Sequence, residues 1–146
     1  MTSVYDGFNY FLRLEKGEQA LETLLHFAQK NKLEGAWISG IGGALRATIG
    51  YYDLAKKEYT WQDLSELHEV VSLQGNLSLN ESGEPMLHLH GTFSSKDHQV
   101  VGGHVKEITV GATLELFIHR SDGIALRRKV DQTVGLPLLD LPHANT

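Results

Sequence analysis

The spacing of apolar residues changes period along the chain, and each change marks an element. Phe8, Tyr10, Leu12 and Leu14 alternate with more polar neighbours, the period of a strand with one buried face. Leu21, Leu24, Leu25 and Ala28 then fall at i, i+3, i+4 and i+7, the stripe of an amphipathic helix. Gly17 precedes that stripe, Glu18 and Glu22 suit its N-terminal end, and Lys30 and Lys32 suit its C-terminal end. The pattern predicts a helix over about residues 18–31, packed on a sheet.

Strand-type segments follow. They are expected at Ala36 to Ser39, Leu45 to Asp53, Tyr59 to Leu64, His68 to Leu79 with an interruption at Gly75, Met86 to Phe93, His98 to Val105 and Val110 to His119. Lys56 to Glu58 and Asn80 to Pro85 read as turns. Connections this short make neighbouring strands antiparallel. One early helix followed by a run of strands predicts an α+β fold, mostly antiparallel sheet with one main helix near the N-terminus. The stretch from Gly135, with Pro137 and Pro142, is expected to be irregular, with its last residues mobile.

Composition narrows the chemistry. The chain has 146 residues, a length suited to one domain spanning 1–146. It has no cysteine, which removes disulfides, thiolate metal sites and a cysteine nucleophile. Met1 to Leu14 lacks the basic and then apolar pattern of a signal peptide, and no apolar run approaches the ~20 residues of a membrane span. A cytoplasmic protein without a membrane partner is expected. The formal net charge is −5, against the basic surface that nucleic-acid binding uses. Arg127, Arg128 and Lys129, with Arg120 nearby, form the densest basic group and read as a solvated strand end.

The chemistry concentrates between Pro85 and Glu107. His88 and His90 are two apart in a strand, so both point to one face, while Leu87, Leu89 and Phe93 point to the other. Ser94 to Asp97 suit a hairpin loop. Centred near Lys96, that loop sets His88 opposite His104 and His90 diagonal to it, bringing three imidazoles together. A bulge at Gly102 and Gly103 would move this register. Three neutral imidazoles with a fourth position left open is a catalytic-type metal arrangement, with zinc first among the candidates and nickel, iron or manganese compatible. His119 is a weak fourth candidate. His98 is expected to face solvent, His26 to lie at or near the surface, and His68 and His143 carry no spacing signal. Glu69, Glu107 and Glu115 could serve as acid or base, with Arg46 to steady an anion. Spacing singles out none of them, and Glu107 should face away from His104.

Ser39-Gly40-Ile41-Gly42-Gly43 departs from the dinucleotide pattern, because Leu45 stands where its last glycine would be, and no Gly-Lys-Ser/Thr is present. A tight turn or bulge, where backbone passes close to a neighbour, fits better than a phosphate loop.

Together these residues resemble the PPC (plants and prokaryotes conserved) domain family. The resemblance runs from about Phe8 to Leu139. It rests on R-L-E-K-G-E before the helix, S-G-I-G-G-A-L at Ser39 to Leu45, G-Y-Y-D at Gly50 to Asp53, V-S-L-Q-G-N at Val71 to Asn76, and above all H-L-H-G-T-F-S-S-K-D with G-G-H, at His88 to Asp97 and Gly102 to His104. It implies an α+β domain assembling as a homotrimer, with a metal held at His88, His90 and His104. It also implies a fold similar to that of α-acetolactate decarboxylase, a metal-dependent lyase. Through the family's label as predicted DNA-binding proteins it implies DNA as a partner. The plant members' AT-hook has no counterpart here, and with the acidic balance this weighs against DNA. Three functions follow as expectations: a trimeric metal-binding domain, a metal-dependent lyase or hydrolase acting on a small oxygenated molecule, and an assembly module.

Overall fold

The computed structural model describes residues 1–141. Pro142, His143 and the expected mobile end lie outside them. Among the described residues nine strands and one helix run in the order β1 (Thr2–Tyr5), β2 (Asn9–Glu15), α1 (Ala20–Lys30), β3 (Ala36–Asp53), β4 (Glu58–Leu64), β5 (His68–Leu79), β6 (Pro85–Ser94), β7 (Val100–Arg120), β8 (Arg128–Asp131) and β9 (Leu136–Leu139). The protein is mostly antiparallel sheet with a single short helix.

Seven strands form one sheet in the order β1-β2-β7-β6-β5-β3-β4, and β7 also pairs with β3. That extra pairing closes β3, β5, β6 and β7 into a ring, which leaves those four strands no free edge between them. A strand that serves two neighbours must be long and bent. β3 and β7 each run through what the sequence suggests are two strands. Their pairing shifts register at Gly42/Ala44, Ala44/Arg46 and Thr48/Ile49. Bulges of this kind bend a strand without ending it. The expected break between Ser39 and Leu45 is therefore a bulge inside β3, and no break separates Val105 from Val110. The glycine segment leads into more strand rather than a helix N-terminus. Gly75 likewise does not interrupt β5, where it pairs with Leu89.

The inside of the ring and the underside of α1 form the core. Leu14, Leu73, Leu77, Leu89, Phe93, Ile108 and Leu114 are fully buried. The helix buries Ala20, Leu24, Phe27 and Ala28, with Tyr10 edge-on to Phe27 at 5.0 Å. Leu25 is only half-buried, so the buried stripe is rotated towards Phe27 relative to the sequence pattern. His26 is exposed.

From Gly135 to Leu139 the chain is not irregular. β9 pairs with β8 from Arg128↔Leu139 to Asp131↔Leu136. Asp131 Oδ1 accepts from the Thr133 and Val134 amides, and Gly135 adopts φ 80°, so Pro137 sits beside a well-formed turn. Pro137 is tolerated because this two-stranded sheet has edges. Tyr52 Oη donates to Val134 O and Lys57 Nζ to Gln132 O, which fastens the hairpin to the β3–β4 turn.

Leu89 faces the ring interior between His88 and His90 on the same strand. Leu89→Ala should lower the unfolding free energy by about 3 kcal/mol, measured by urea denaturation. A loss below about 1 kcal/mol would place that side chain outside the core.

Candidate metal centre

Alternation along β6 puts Leu89 and Phe93 inside the ring and His88 and His90 outside. The loop Ser95 to Gln99 is one residue further along than expected. It is closed by Ser95 N–H to Gln99 O and His98 N–H to Ser95 O, with exposed His98 at φ 59°. The register therefore pairs His90 with His104 directly and Gly91 with Gly103, instead of His88 with His104. The slip is two residues along the partner strand, and an even slip keeps every side chain on its face. The convergence of the imidazoles survives although the pairing differs.

The ring centroids of His88, His90 and His104 are 5.1, 5.2 and 5.4 Å apart. One nitrogen from each lies within 4.8 Å of the others. His88 and His104 are half-buried and His90 is exposed, so the group opens to solvent on one side. β3 supplies the floor beside His104. Gly50 pairs with His104, and a Cβ there would meet Trp61 Cζ3 at 2.6 Å and Tyr59 Cδ1 at 2.9 Å. The missing side chain lets those rings lie alongside the histidines. Tyr59 is 5.1 Å and Trp61 6.2 Å from the His104 ring, and Lys106 Nζ sits 5.0 Å over Trp61.

Behind His88 stands Arg128. It is 6% exposed, not the solvated strand end that its basic neighbours suggest. Nε donates to Ser78 Oγ at 2.9 Å, Nη1 to Pro137 O at 2.7 Å, and Nη2 to Asn76 Oδ1 at 2.8 Å and His88 Nδ1 at 3.1 Å. A guanidinium can only donate, so His88 Nδ1 is the acceptor. Burial and the Arg128 charge push the His88 pKa down to about 4. Burial, His90 and Arg128 lower that of His104. These shifts favour the neutral form of both rings, the charge state in which imidazole binds metal. On His88 the lone pair is the one Arg128 holds at Nδ1, so a metal on Nε2 needs the other tautomer of that ring. His104 Nδ1 is buried with no hydrogen-bond partner. A buried nitrogen lone pair without a donor is costly, and a metal ion would satisfy it. The donor set fits a transition metal.

The other candidates stay apart. No carboxylate or further histidine joins the three rings among the described residues. His119, fifteen residues along β7 from His104, holds Asn9 Oδ1 at 2.6 Å. His68 bonds Glu66 O. Glu107 faces outward, not to the opposite side, because β7 shifts register between Val105 and Glu107; it accepts from Thr48 Oγ1 at 3.2 Å. Glu115 lies across from Arg13, and Glu69 and Arg46 are exposed. Arg128, Asn76, Tyr59 and Trp61 carry no spacing signal. Strand pairing and the hairpin bring them in.

Fold and site together define a ring-closed antiparallel β protein with a three-histidine cluster on its outer face. The Plants and Prokaryotes Conserved (PCC) domain matches residues 1–122, and the chain belongs to that family. Among solved structures it is similar to a plant- and prokaryote-conserved protein from Pyrococcus horikoshii, at 34% identity over 95% of this chain and 98% of that one, with a TM-score of 0.86. It is equally similar to a metal-containing protein from Archaeoglobus fulgidus, at 34% identity, 95% and 98% coverage and a TM-score of 0.85. A candidate DNA-binding protein from Ralstonia eutropha matches at 28% identity, 96% of each chain and a TM-score of 0.88. α-Acetolactate decarboxylase from Bacillus subtilis shares the fold at 15% identity and a TM-score of 0.56, over 90% of this chain and 60% of that one. No curated protein matches the chain.

The lowered His88 pKa fixes the sign of a pH effect. The folded state keeps the ring neutral down to about pH 4, whereas the unfolded chain takes up a proton below about 6.5. Stability from this group is complete above 6.5 and is lost as the pH falls towards 4. Without metal, the melting temperature of the wild type should fall more steeply between pH 6.5 and 4 than that of His88→Asn, which still offers Arg128 an acceptor. Equal slopes in thermal melts would show that His88 is not held neutral.

Proposed function

We propose that this chain is a metal-binding domain of the PCC (PPC) type, one domain over its length, in which His88, His90 and His104 hold a transition metal, zinc first. The observation that carries this is the meeting of three imidazoles, with the buried Nδ1 of His104 lacking any other partner. The Archaeoglobus neighbour's description as metal-containing supports it. Three protein donors leave room for a ligand on the ion, which would supply Lewis acidity towards a carbonyl or bound water. That room supports a second reading, a lyase or hydrolase acting on a small oxygenated molecule, because no fourth protein donor closes the group among the described residues. In either reading the chain's own residues hold the three rings in place.

The DNA-binding description of the Ralstonia relative points elsewhere. In this chain the net charge is −5, and Arg128 is withdrawn from the densest basic group into the interior. What remains of that group is a poor phosphate-binding surface.

The domain assembles, on this reading, as a cytoplasmic homotrimer. No helix among the described residues is long and apolar enough to cross a membrane. An apolar row supports self-association: Val4 pairs with Phe11 and Phe11 with Phe117, flanked on β3 by Trp37 and Ile41. Val4, Phe11, Trp37 and Ile41 are 65, 49, 51 and 58% exposed, a contiguous patch of the kind that marks interfaces.

Elemental analysis of untagged protein should find about one transition-metal ion per chain, and none in folded His88→Ala or His104→Ala. Full metal content in either variant would overturn the three-histidine site. Light scattering should give three chains per particle for the wild type and a smaller particle for Phe11→Glu. A monomeric wild type would remove the trimer.

A further inference from the structure

The charge around the histidine group does not balance. Arg128 is buried, and each acceptor it uses is neutral: the Ser78 hydroxyl, the Pro137 carbonyl, the Asn76 amide oxygen and His88 Nδ1. None of the ion pairs among the described residues includes it, and no carboxylate joins the three rings. A guanidinium remains charged at any ordinary pH. The C-terminal hairpin, which lies beyond the residues matched to the family domain, thus fixes a positive charge 3.1 Å from a ring of the candidate metal centre.

Histidine metal centres ordinarily carry a carboxylate or carbonyl behind the ring, accepting from its second nitrogen. Here a guanidinium stands in that place and donates to Nδ1; a metal held through Nε2 needs the other tautomer, with Nδ1 protonated and facing the cation. A divalent ion among the three imidazoles, beside an uncompensated guanidinium, would bring three positive charges to a half-buried site with no acid among the described residues joined to it. Burying unpaired charge is strongly unfavourable, so the compensating charge has to arrive with the ligand. The aromatic walls Tyr59 and Trp61, 5.1 and 6.2 Å from His104, favour a small one.

Resting on the metal-binding reading above, we propose that the site takes up its metal together with a small oxyanion, and that Arg128 is the positioning residue that imposes this requirement. Arg128 does so through His88 and through its fixed charge. Binding of the two ligands is then linked, each strengthening the other by the same factor.

The test is zinc affinity with free zinc held by a chelator buffer, at constant ionic strength, in chloride, acetate or inorganic phosphate. For the wild type the zinc dissociation constant should fall by about tenfold when acetate or phosphate replaces chloride. An effect of acetate alone assigns the anion to a carboxylate, and one of phosphate alone to a phosphate. Arg128→Met should bind zinc in chloride and lose the dependence on the anion, whereas Arg128→Lys should keep it. Equal zinc affinity of the wild type in all three salts overturns the proposal, however the variants fold. An anion dependence that survives in Arg128→Met overturns the role of Arg128. Zinc uptake in none of the salts would instead remove the metal reading on which both rest.

Discussion

Closure of the sheet through β7 organises everything else. β7 pairs with β2, β3 and β6, and its contact with both β3 and β6 turns an open sheet into a ring. Three demands follow. The strand must be long enough to reach every partner, it must bend where partners change, and its inward residues must be apolar along its length. Val105, Ile108, Val110, Leu114, Leu116 and Ile118 meet the last demand, and the register shifts meet the second. The place where β7 passes from β3 to β6 is also where His104 stands, between Gly50 on one side and His90 on the other. Candidate site and ring closure are thus one piece of geometry. A Cβ at Gly103 would come within 2.6 Å of Gly50 O, so the close approach of β7 to β3 beside the imidazoles depends on glycine there.

The sequence carries this architecture unevenly. Alternation on β6 is legible because one face is buried and the other wet, so His88 and His90 share a face whatever the register. The pairing partner is not legible. It depends on how many residues the Ser95 to Gln99 loop spends before the chain returns, and His98 at φ 59° makes that count. β3 and β7 look like two strands each because glycines and polar residues interrupt their apolar pattern, yet those residues lie at bulges where the strand bends and continues. The turn after Asp131 is hidden for a related reason. Two prolines and a glycine suggest irregular chain, but the cap from Asp131 Oδ1 and the edge position of Pro137 make a hairpin of residues 128–139.

Arg128 is the larger omission, and it is instructive. Three consecutive basic residues read as solvated surface, and Arg127 and Lys129 are indeed exposed. In a strand the middle residue of three points opposite to its neighbours. Once β8 is a strand, one of the three must therefore turn inward. Local composition gives no hint that acceptors await it there. Those acceptors, Asn76, Ser78 and His88, come from β5 and β6, some forty to fifty positions earlier in the chain. Long-range strand pairing assembles them, and no window along the sequence sees it.

This also explains why the hairpin is held so firmly. Tyr52 and Lys57 fasten its turn to the β3–β4 corner, while Arg128 anchors its start beneath β5 and β6. Tyr52 in turn packs against Tyr59 at 4.9 Å, and Tyr59 lies beside His104. The hairpin therefore meets the histidine group from two directions, through a charge at His88 and through an aromatic stack at His104. A surface element that contributes none of the three imidazoles can in this way set the electrostatics and the surroundings of the cluster. Arginine suits the anchoring position better than lysine, because its planar fork can satisfy four acceptors at fixed angles. A lysine could supply the charge but could not hold Ser78, Asn76, Pro137 and His88 in one arrangement. The separation of those two roles, charge and geometry, follows from the shape of the guanidinium and the positions of its four partners.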